Sequence, residues 1–392
     1  MPDFPRLILK PGEGRRAERG HLWVFSNEVA SLEETHGSDE VSVFSAKGRH
    51  LGNALLSSSS LIRARIYSRE PVSFDGVYIA SRLESALQYR RDIGYERQSF
   101  RWCHSEADFL PGLVVDVYGN HAVMQISAKA TDDRRETIKE IIYKIRQPAC
   151  IYERSDVPLR ELENLPPVCG LRTGELQSPI LIEENGISIL ADIAHGQKTG
   201  YFLDMYENRS RLLPLFKRHR VLDLFCYSGA WALTAARHGA ESALGVDSSA
   251  SAIHLAHESS KINHLGAKCR FIENDAFEFL KTAYQKNEQY DFIIVDPPPF
   301  ARRKKDVGNA LRAYRDVNCR AIKILSPGGI LATASCSHNI LPDDLLQCVR
   351  LGARDAHADL RLFFMGTQSP DHPIHHATPE SAYLKFFAFM RV

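Results

Sequence analysis

From residue 219 onward, short apolar runs alternate with segments whose apolar residues recur every three or four positions. The runs "RVLDLF", "SALGVD", "CRFIEND", "YDFIIVD" and "GILATAS" read as strands. Between and after them, "AWALTAARHG", "SAIHLAHESSKIN", "FEFLKTAYQ", "ALRAYRDVNCRAIKIL" and "DDLLQCVRLGARDA" read as helices. A βα series of this kind predicts an α/β fold with a parallel, doubly wound sheet and helices on both faces. Ligands of such sheets lie beyond the carboxyl ends of the strands, so the residues that follow each strand are the ones to inspect.

Upstream the pattern differs. Residues 1–70 hold short β-rich pieces, "HLWVFSNEV", "VSVFS", "HLGNALLS" and "LIRARIYS", separated by Gly and Ser turns, which predicts a small β-barrel-like module. Residues 71–178 predict an α+β domain. It contains a helix in "GVYIASRLESALQYRRDIG", a hairpin turned at Gly119 and Asn120, and a capped amphipathic helix in "DDRRETIKEIIYKIRQ". The Pro- and Gly-containing run 162–179 reads as a linker, and a hairpin turned at Asn185 and Gly186 opens the third domain, 179–392.

Composition narrows the class. The 392 residues are 44% hydrophobic and 25% charged, as expected of a soluble globular chain with two or three domains. No stretch of about eighteen apolar residues and no secretory leader pattern is present, which predicts a cytoplasmic protein without membrane contact. The eight cysteines are scattered, with no C-x-x-C pair, so reduced thiols are expected rather than disulfides or a zinc site. "DHPIHH" at 371–376 is interrupted by Pro373 and reads as a loop; no metal is expected. The net charge of +1 hides a local excess, because Arg302, Arg303, Lys304, Lys305, Arg312, Arg315, Arg320 and Lys323 face only Asp306 and Asp316. That stretch could hold phosphates or be a solvated helix face.

The strand ends carry a consistent chemistry. Asp223 closes the first strand and Gly229 follows six residues later; with a single glycine the turn lacks G-x-G-x-x-G, which argues against a nicotinamide site. Asp247 ends the second strand, where a carboxylate can accept from ribose hydroxyls, and Asp275 after the third could receive an exocyclic adenine amine. Each acid could equally cap a helix. After the fourth strand "VDPPPF" fixes Asp296 beside Pro297 and Pro298, and Phe300 offers a face on which a base can stack for about 1–3 kcal/mol. After the fifth, "SCS" sets Cys336 where a strand meets water, either as a small buried hydrophobe or as a nucleophile.

Together these motifs resemble a class I S-adenosylmethionine-dependent methyltransferase. "DIAHGQKTGYFLDMYENR" (192–209), "YERSD", "DFLPGLVVDVYGN" and the terminal "PESAYLKFF" resemble, over essentially the full chain, the bacterial ribosomal RNA large subunit methyltransferase I family of 23S rRNA cytosine-C5 methyltransferases. The resemblance implies an N-terminal PUA-like RNA-binding domain, a central EEHEE domain and a Rossmann-like catalytic domain. It implies S-adenosyl-L-methionine as cofactor, 23S rRNA as partner and a homodimer. Lys198, Thr199, Gly200, Phe202, Asp204 and Arg209 match the segment that closes over the cofactor, with Lys198 or Arg209 available to the methionine carboxylate. Asp223, Tyr227, Ser228 and Gly229 fall on the first cofactor motif, Asp247 on the ribose acid and Asp275 on the adenine position.

By the same resemblance Cys336 is the nucleophile and Asp296 its partner, Asp296 also bordering the cofactor, with Pro297, Pro298, Phe300 and the cations 302–305 on the RNA side; Arg15, Arg16 and Trp23 of the N-terminal module are expected to contact the RNA as well. Cys226 is packing. Two departures stand out: "YSGA" lacks a second glycine, and no cysteine follows the prolines. Competing readings are an N-methyltransferase acting on guanine or adenine, in which Cys336 is dispensable, and a catalytically silent RNA-binding factor gripping RNA through Arg15, Arg16, Arg19 and Trp23.

Overall fold

The alternation of apolar runs and helical spacing after residue 219 folds as its periodicity predicts. Strands β1 (Arg220–Leu224), β2 (Ser242–Asp247), β3 (Cys269–Glu273), β4 (Tyr290–Val295) and β5 (Leu325–Ser335) pair in parallel. Between them run α1 (Ala230–Arg237), α2 (Ala250–Ile262), α3 (Ala276–Gln285) and α4 (Val307–Lys323), and α5 (Pro342–Asp355) follows β5. Two further strands, β6 (Leu360–Gly366) and β7 (Lys385–Arg391), complete a seven-stranded sheet ordered β3-β2-β1-β4-β5-β7-β6, with β7 antiparallel to both neighbours. The order reverses between β1 and β4, the place where a doubly wound sheet opens a crevice.

The computed structural model describes residues 4–301 and 303–392 and divides into two units. The unit with the seven-stranded sheet comprises 181–191, 204–369 and 382–392. Helices α3, α4 and α5 bury Phe279, Leu280, Tyr314, Val317, Leu345 and Val349 against Leu222, Val295 and Leu331 of the sheet. Local signals start the helices: Ser249 Oγ accepts from Ala252 N (3.3 Å) at α2, Asp275 caps α3, and Pro342 occupies the first turn of α5.

The other unit comprises 1–180, 192–203 and 370–381. A six-stranded sheet is drawn from Arg6–Leu9, Trp23–Phe25, Val29–Leu32, Glu40–Phe44, His50–Leu56 and Ile62–Ser68. A five-stranded sheet follows from Ser99–His104, Leu113–Tyr118, His121–Ile126, Cys150–Ser155 and Val168–Gly174, covered by helices Gly76–Asp92 and Arg135–Arg146. Trp102 Nε1 donates to Leu83 O (2.8 Å), fixing the first helix on its strand.

Three expectations change. The run 162–179 is not a linker: Val168–Gly174 pairs antiparallel with Cys150–Ser155 as an edge strand, a position that admits Gly170 and Gly174 with φ of 149° and 78°. The helix Arg135–Arg146 carries no side-chain cap, because Asp132 instead accepts from Arg160 Nη1 (2.8 Å) and pairs with Arg135 (2.5 Å). Residues 192–203 and 370–381, assigned by sequence to the third domain, group with the first unit.

Candidate active site

The loop from β1 to α1 is built from left-handed backbone. Phe225, Tyr227 and Gly229 have φ of 61°, 48° and 80°, two of them in side chains that rarely adopt it. The conformation is held by Cys226 N to Val246 O (3.1 Å), Gly229 N to Cys226 O (2.8 Å) and Tyr227 N to Asp247 Oδ2 (2.9 Å). At Gly229 a Cβ would lie 2.5 Å from Phe271 Cε1 and 3.0 Å from Ala256 Cβ, so glycine is required by packing as well as by φ.

Asp223 is fully buried beneath this loop. Its Oδ2 accepts from Ala232 N (3.1 Å), whereas Oδ1 has no protein partner, and neither has the buried Ser228 Oγ. Burial, reinforced by the charges of Asp296 and Asp247, pushes the Asp223 carboxyl well above the usual carboxylate range, with Arg209 opposing. A ligand that donates a hydrogen bond or brings positive charge would reverse that cost. Asp247 accepts from Ser249 N (2.9 Å) as well as Tyr227 N, one bond per oxygen, which leaves lone pairs for two hydroxyls. Asp275 is exposed; its Oδ1 caps α3 by accepting from Phe277 N (2.9 Å) and Glu278 N (3.0 Å). Buried orphaned acceptors at the β1 end and open acceptor capacity at the β2 end fit S-adenosylmethionine, with Asp223 and Ser228 toward a polar donor and Asp247 toward the ribose.

Arg209, expected near the methionine carboxylate, is held by an acid of the fold. Its guanidinium, fully buried, is paired with Glu184 through Nε and through Nη2 (2.9 Å) and lies 5.8 Å from the Trp231 ring centroid. Its charge is balanced within the fold, so a methionine carboxylate there would compete with Glu184. Asp204, also buried, accepts from Tyr383 OH (2.7 Å) and its carbonyl from Ser369 N (2.9 Å). Lys198, Thr199, Gly200 and Phe202 belong to the other unit. There Lys198 Nζ sits 4.4 Å from the Phe202 ring centroid and Thr199 Oγ1 donates to Asp116 Oδ2 (2.6 Å) beside Tyr118 OH (2.9 Å). Gly200, at φ 126°, has Ile193 where a Cβ would go.

At the other side of the switch point β4 and β5 run together, Val295 opposite Thr333. Asp296 is half-buried, with its N–H directed to Leu224 O (3.5 Å); Pro297 is buried and Pro298 exposed. Phe300 is half-buried against Tyr314 (4.8 Å between ring centroids), Phe225 and Phe277 (6.3 Å each). Cys336 is half-buried, whereas Cys103, Cys150, Cys226, Cys269, Cys319 and Cys348 are buried and Cys169 is exposed on the edge strand of the other unit. Burial pushes the Cys226 thiol well up, with Asp223 and Asp247 adding to it, as suits a packing role.

The residues flanking Cys336 are fixed. Ser335 Oγ donates to Tyr314 OH (2.8 Å), Tyr314 OH lies 3.2 Å from Ser337 Oγ, and Ser337 Oγ accepts from Ala301 N (3.4 Å). The Ser335 proton is thus directed to Tyr314. Sequence reasoning missed Tyr314 and Lys385. Lys385 Nζ donates to Ser337 O (2.7 Å) and Tyr383 O (2.8 Å). Tyr314 looked like one more apolar residue of α4; the run "LKFFAFMRV" was the signal for β7, and with it for Lys385.

Of the predicted basic stretch, Arg303, Lys304 and Lys305 are exposed, with no carboxylate in ion-pair range among the described residues; Arg302 lies outside those residues. Arg315 pairs with Asp355 (2.5 Å) and Arg320 with Asp316 (2.9 Å). In the first unit Arg15 is exposed, Arg16 pairs with Glu380 (2.6 Å), and Trp23 Nε1 donates to Glu106 (2.9 Å). Among the described residues no helix is long and apolar enough to cross a membrane, and no group of three His, Cys, Asp or Glu is placed to hold a metal.

The sheet order and the acids at its switch point are those of an S-adenosylmethionine-dependent methyltransferase, and a family model of that description matches residues 159–379, with a PUA-like domain model on residues 7–69. Full-length relatives narrow the class. The chain is 39% identical over 389 residues to ribosomal RNA large subunit methyltransferase I of Shewanella denitrificans, covering 97% of this chain and 98% of that one, and 35% identical to its Escherichia coli namesake, covering 98% of each. It belongs to the ribosomal RNA large subunit methyltransferase I family, and its cofactor is S-adenosylmethionine. A solved methyltransferase candidate complexed with SAH shares the fold over 98% of this chain and 99% of its own, with a TM-score of 0.86 at 23% identity.

Proposed function

We propose that this chain methylates carbon 5 of a cytosine in 23S ribosomal RNA, with Cys336 as the attacking thiolate. One observation carries the reading: Cys336 is the half-buried thiol at the carboxyl end of β5, beside the β4 end that bears Asp296. The names of the relatives support a large-subunit rRNA substrate, and the PUA-like domain together with exposed Arg303, Lys304 and Lys305 supports RNA as the ligand.

Carbon 5 of cytosine is a poor nucleophile. A Cys336 sulfur bond to carbon 6 moves the ring electrons so that carbon 5 becomes enamine-like. Bound S-adenosylmethionine would supply an electrophilic methyl, which carbon 5 takes as the methyl–sulfur bond breaks and the sulfonium becomes a neutral thioether. Asp296 donates its carboxyl proton to N3, where the electrons displaced by the thiolate come to rest, and so stabilises the adduct. A base then takes the carbon 5 proton, the electrons of that C–H bond restore the ring double bond, and the C6–S bond breaks to return Cys336 as thiolate. Phe300 and the prolines form the wall against which an extruded base stacks.

The test uses 23S rRNA from cells lacking the enzyme, tritiated at cytosine carbon 5, with S-adenosylmethionine and either wild-type protein or Cys336→Ala. Tritium release by the wild type and none by the variant is expected. Methyl incorporation without release would move the reaction to a nitrogen, and release by the variant would remove Cys336 from the chemistry.

A further inference from the structure

Lys385 is the first residue of β7 and pairs in register with Ser335, the residue before Cys336. Its ammonium reaches past that pairing to the carbonyl of Ser337, the residue after Cys336 (2.7 Å), and to the carbonyl of Tyr383 (2.8 Å). One residue therefore meets the chain on both sides of the cysteine, by its backbone at Ser335 and by its ammonium at Ser337. Its support is itself braced, since Tyr383 OH donates to the buried Asp204, whose carbonyl accepts from Ser369. Two of the three ammonium donors go to carbonyls, which carry no net charge, so the positive charge is not cancelled by those contacts.

We propose that Lys385 is a positioning residue that keeps Cys336 in its thiolate form for attack, an inference that rests on Cys336 being the nucleophile. A thiolate is the reactive species, and a neighbouring ammonium is one of the few devices that favours it at neutral pH. Burial lowers the Lys385 amine to about 8, and the charges of Cys336 and of Asp344 on α5 act against that fall. At pH 7 the side chain is still largely protonated. Groups from several elements face the pair. From α4 comes the Tyr314 hydroxyl, whose phenol is pushed up mainly by burial and which stays neutral as a hydrogen-bond donor. From α5 comes Asp344, which accepts from Leu341 N (2.9 Å), and the His338 ring of the cysteine's own loop lies tilted 5.7 Å from the Tyr383 ring. Lys385 supplies the positive charge in this set.

The test follows the alkylation of Cys336 by iodoacetamide from pH 6 to 10 in the full-length protein, with the Cys336 peptide quantified by mass spectrometry. Wild type is expected to show a midpoint below about 8.5, the value of a free thiol. Lys385→Met should raise that midpoint by one unit or more, and Lys385→Arg should leave it near the wild-type value. Equal midpoints for wild type and Lys385→Met would overturn the proposal. So would a wild-type midpoint at or above the free-thiol value, a measurement that needs no variant to fold. Tritium release by Cys336→Ala would instead strike at the nucleophile assignment, and it leaves the alkylation midpoints to report on the pair independently.

Discussion

At the scale of single residues, Asp223 combines burial with an acceptor oxygen that no protein group satisfies. Its folded-state carboxyl is held above its unfolded value by burial, so the stability it contributes is complete below the unfolded value and is lost as pH rises through the raised one. Asp223→Asn removes that titration. In urea melts of the cofactor-free protein, the stability of Asp223→Asn relative to wild type should increase as pH rises from 5 to 9; a difference that stays flat over this range contradicts the assignment. The same substitution should weaken S-adenosylmethionine binding about tenfold or more in titration calorimetry, the scale of one buried charge-assisted hydrogen bond.

Among the elements, the hairpin strand ending at Glu184 and the helix Tyr206–Leu212 are joined by the buried Glu184–Arg209 pair, and Trp231 of α1 lies across the guanidinium. Arg209→Met should cost roughly 3–5 kcal/mol, because it leaves a buried carboxylate uncompensated, and Glu184→Gln on that background should recover part of the loss. Denaturant unfolding of the two variants measures both. The elements themselves were largely legible: β1 to β5 and their helices announce themselves by period, and the Asn185–Gly186 turn by its left-handed residues, φ 49° and 74°. The edge strand Val168–Gly174 was masked by the prolines before it and the glycines within it, and β6 and β7 by their place beyond the last βα repeat. In the site, the acids were legible because strand ends fix where a side chain emerges. The partner of Arg209 and the neighbour of Cys336 were not, since Glu184 and Lys385 are 25 and 49 residues away in sequence. Pairings of that length are decided by packing.

Across the whole molecule, arginines such as Arg90, Arg101 and Arg160 are paired with carboxylates inside the fold, while Arg303, Lys304 and Lys305 face solvent. Replacing those three by Ala should lower rRNA affinity and reduce the slope of log affinity against log salt by about 2, with S-adenosylmethionine affinity unchanged. Filter binding at several salt concentrations measures this, and an unchanged slope removes the patch from the RNA contact. The chain passes between its two units five times, at 180, 191, 203, 369 and 381. Buried Arg90 of the first unit donates to the Asp371 carbonyl (2.7 Å), and Arg101 N donates to the Asp371 carboxylate (2.9 Å). During synthesis, therefore, the first 180 residues are on hand long before their last partner exists. At about 5–20 residues per second, some 190 further residues take roughly 10–40 s, and the amino-terminal half must wait that long, incomplete, before it can close.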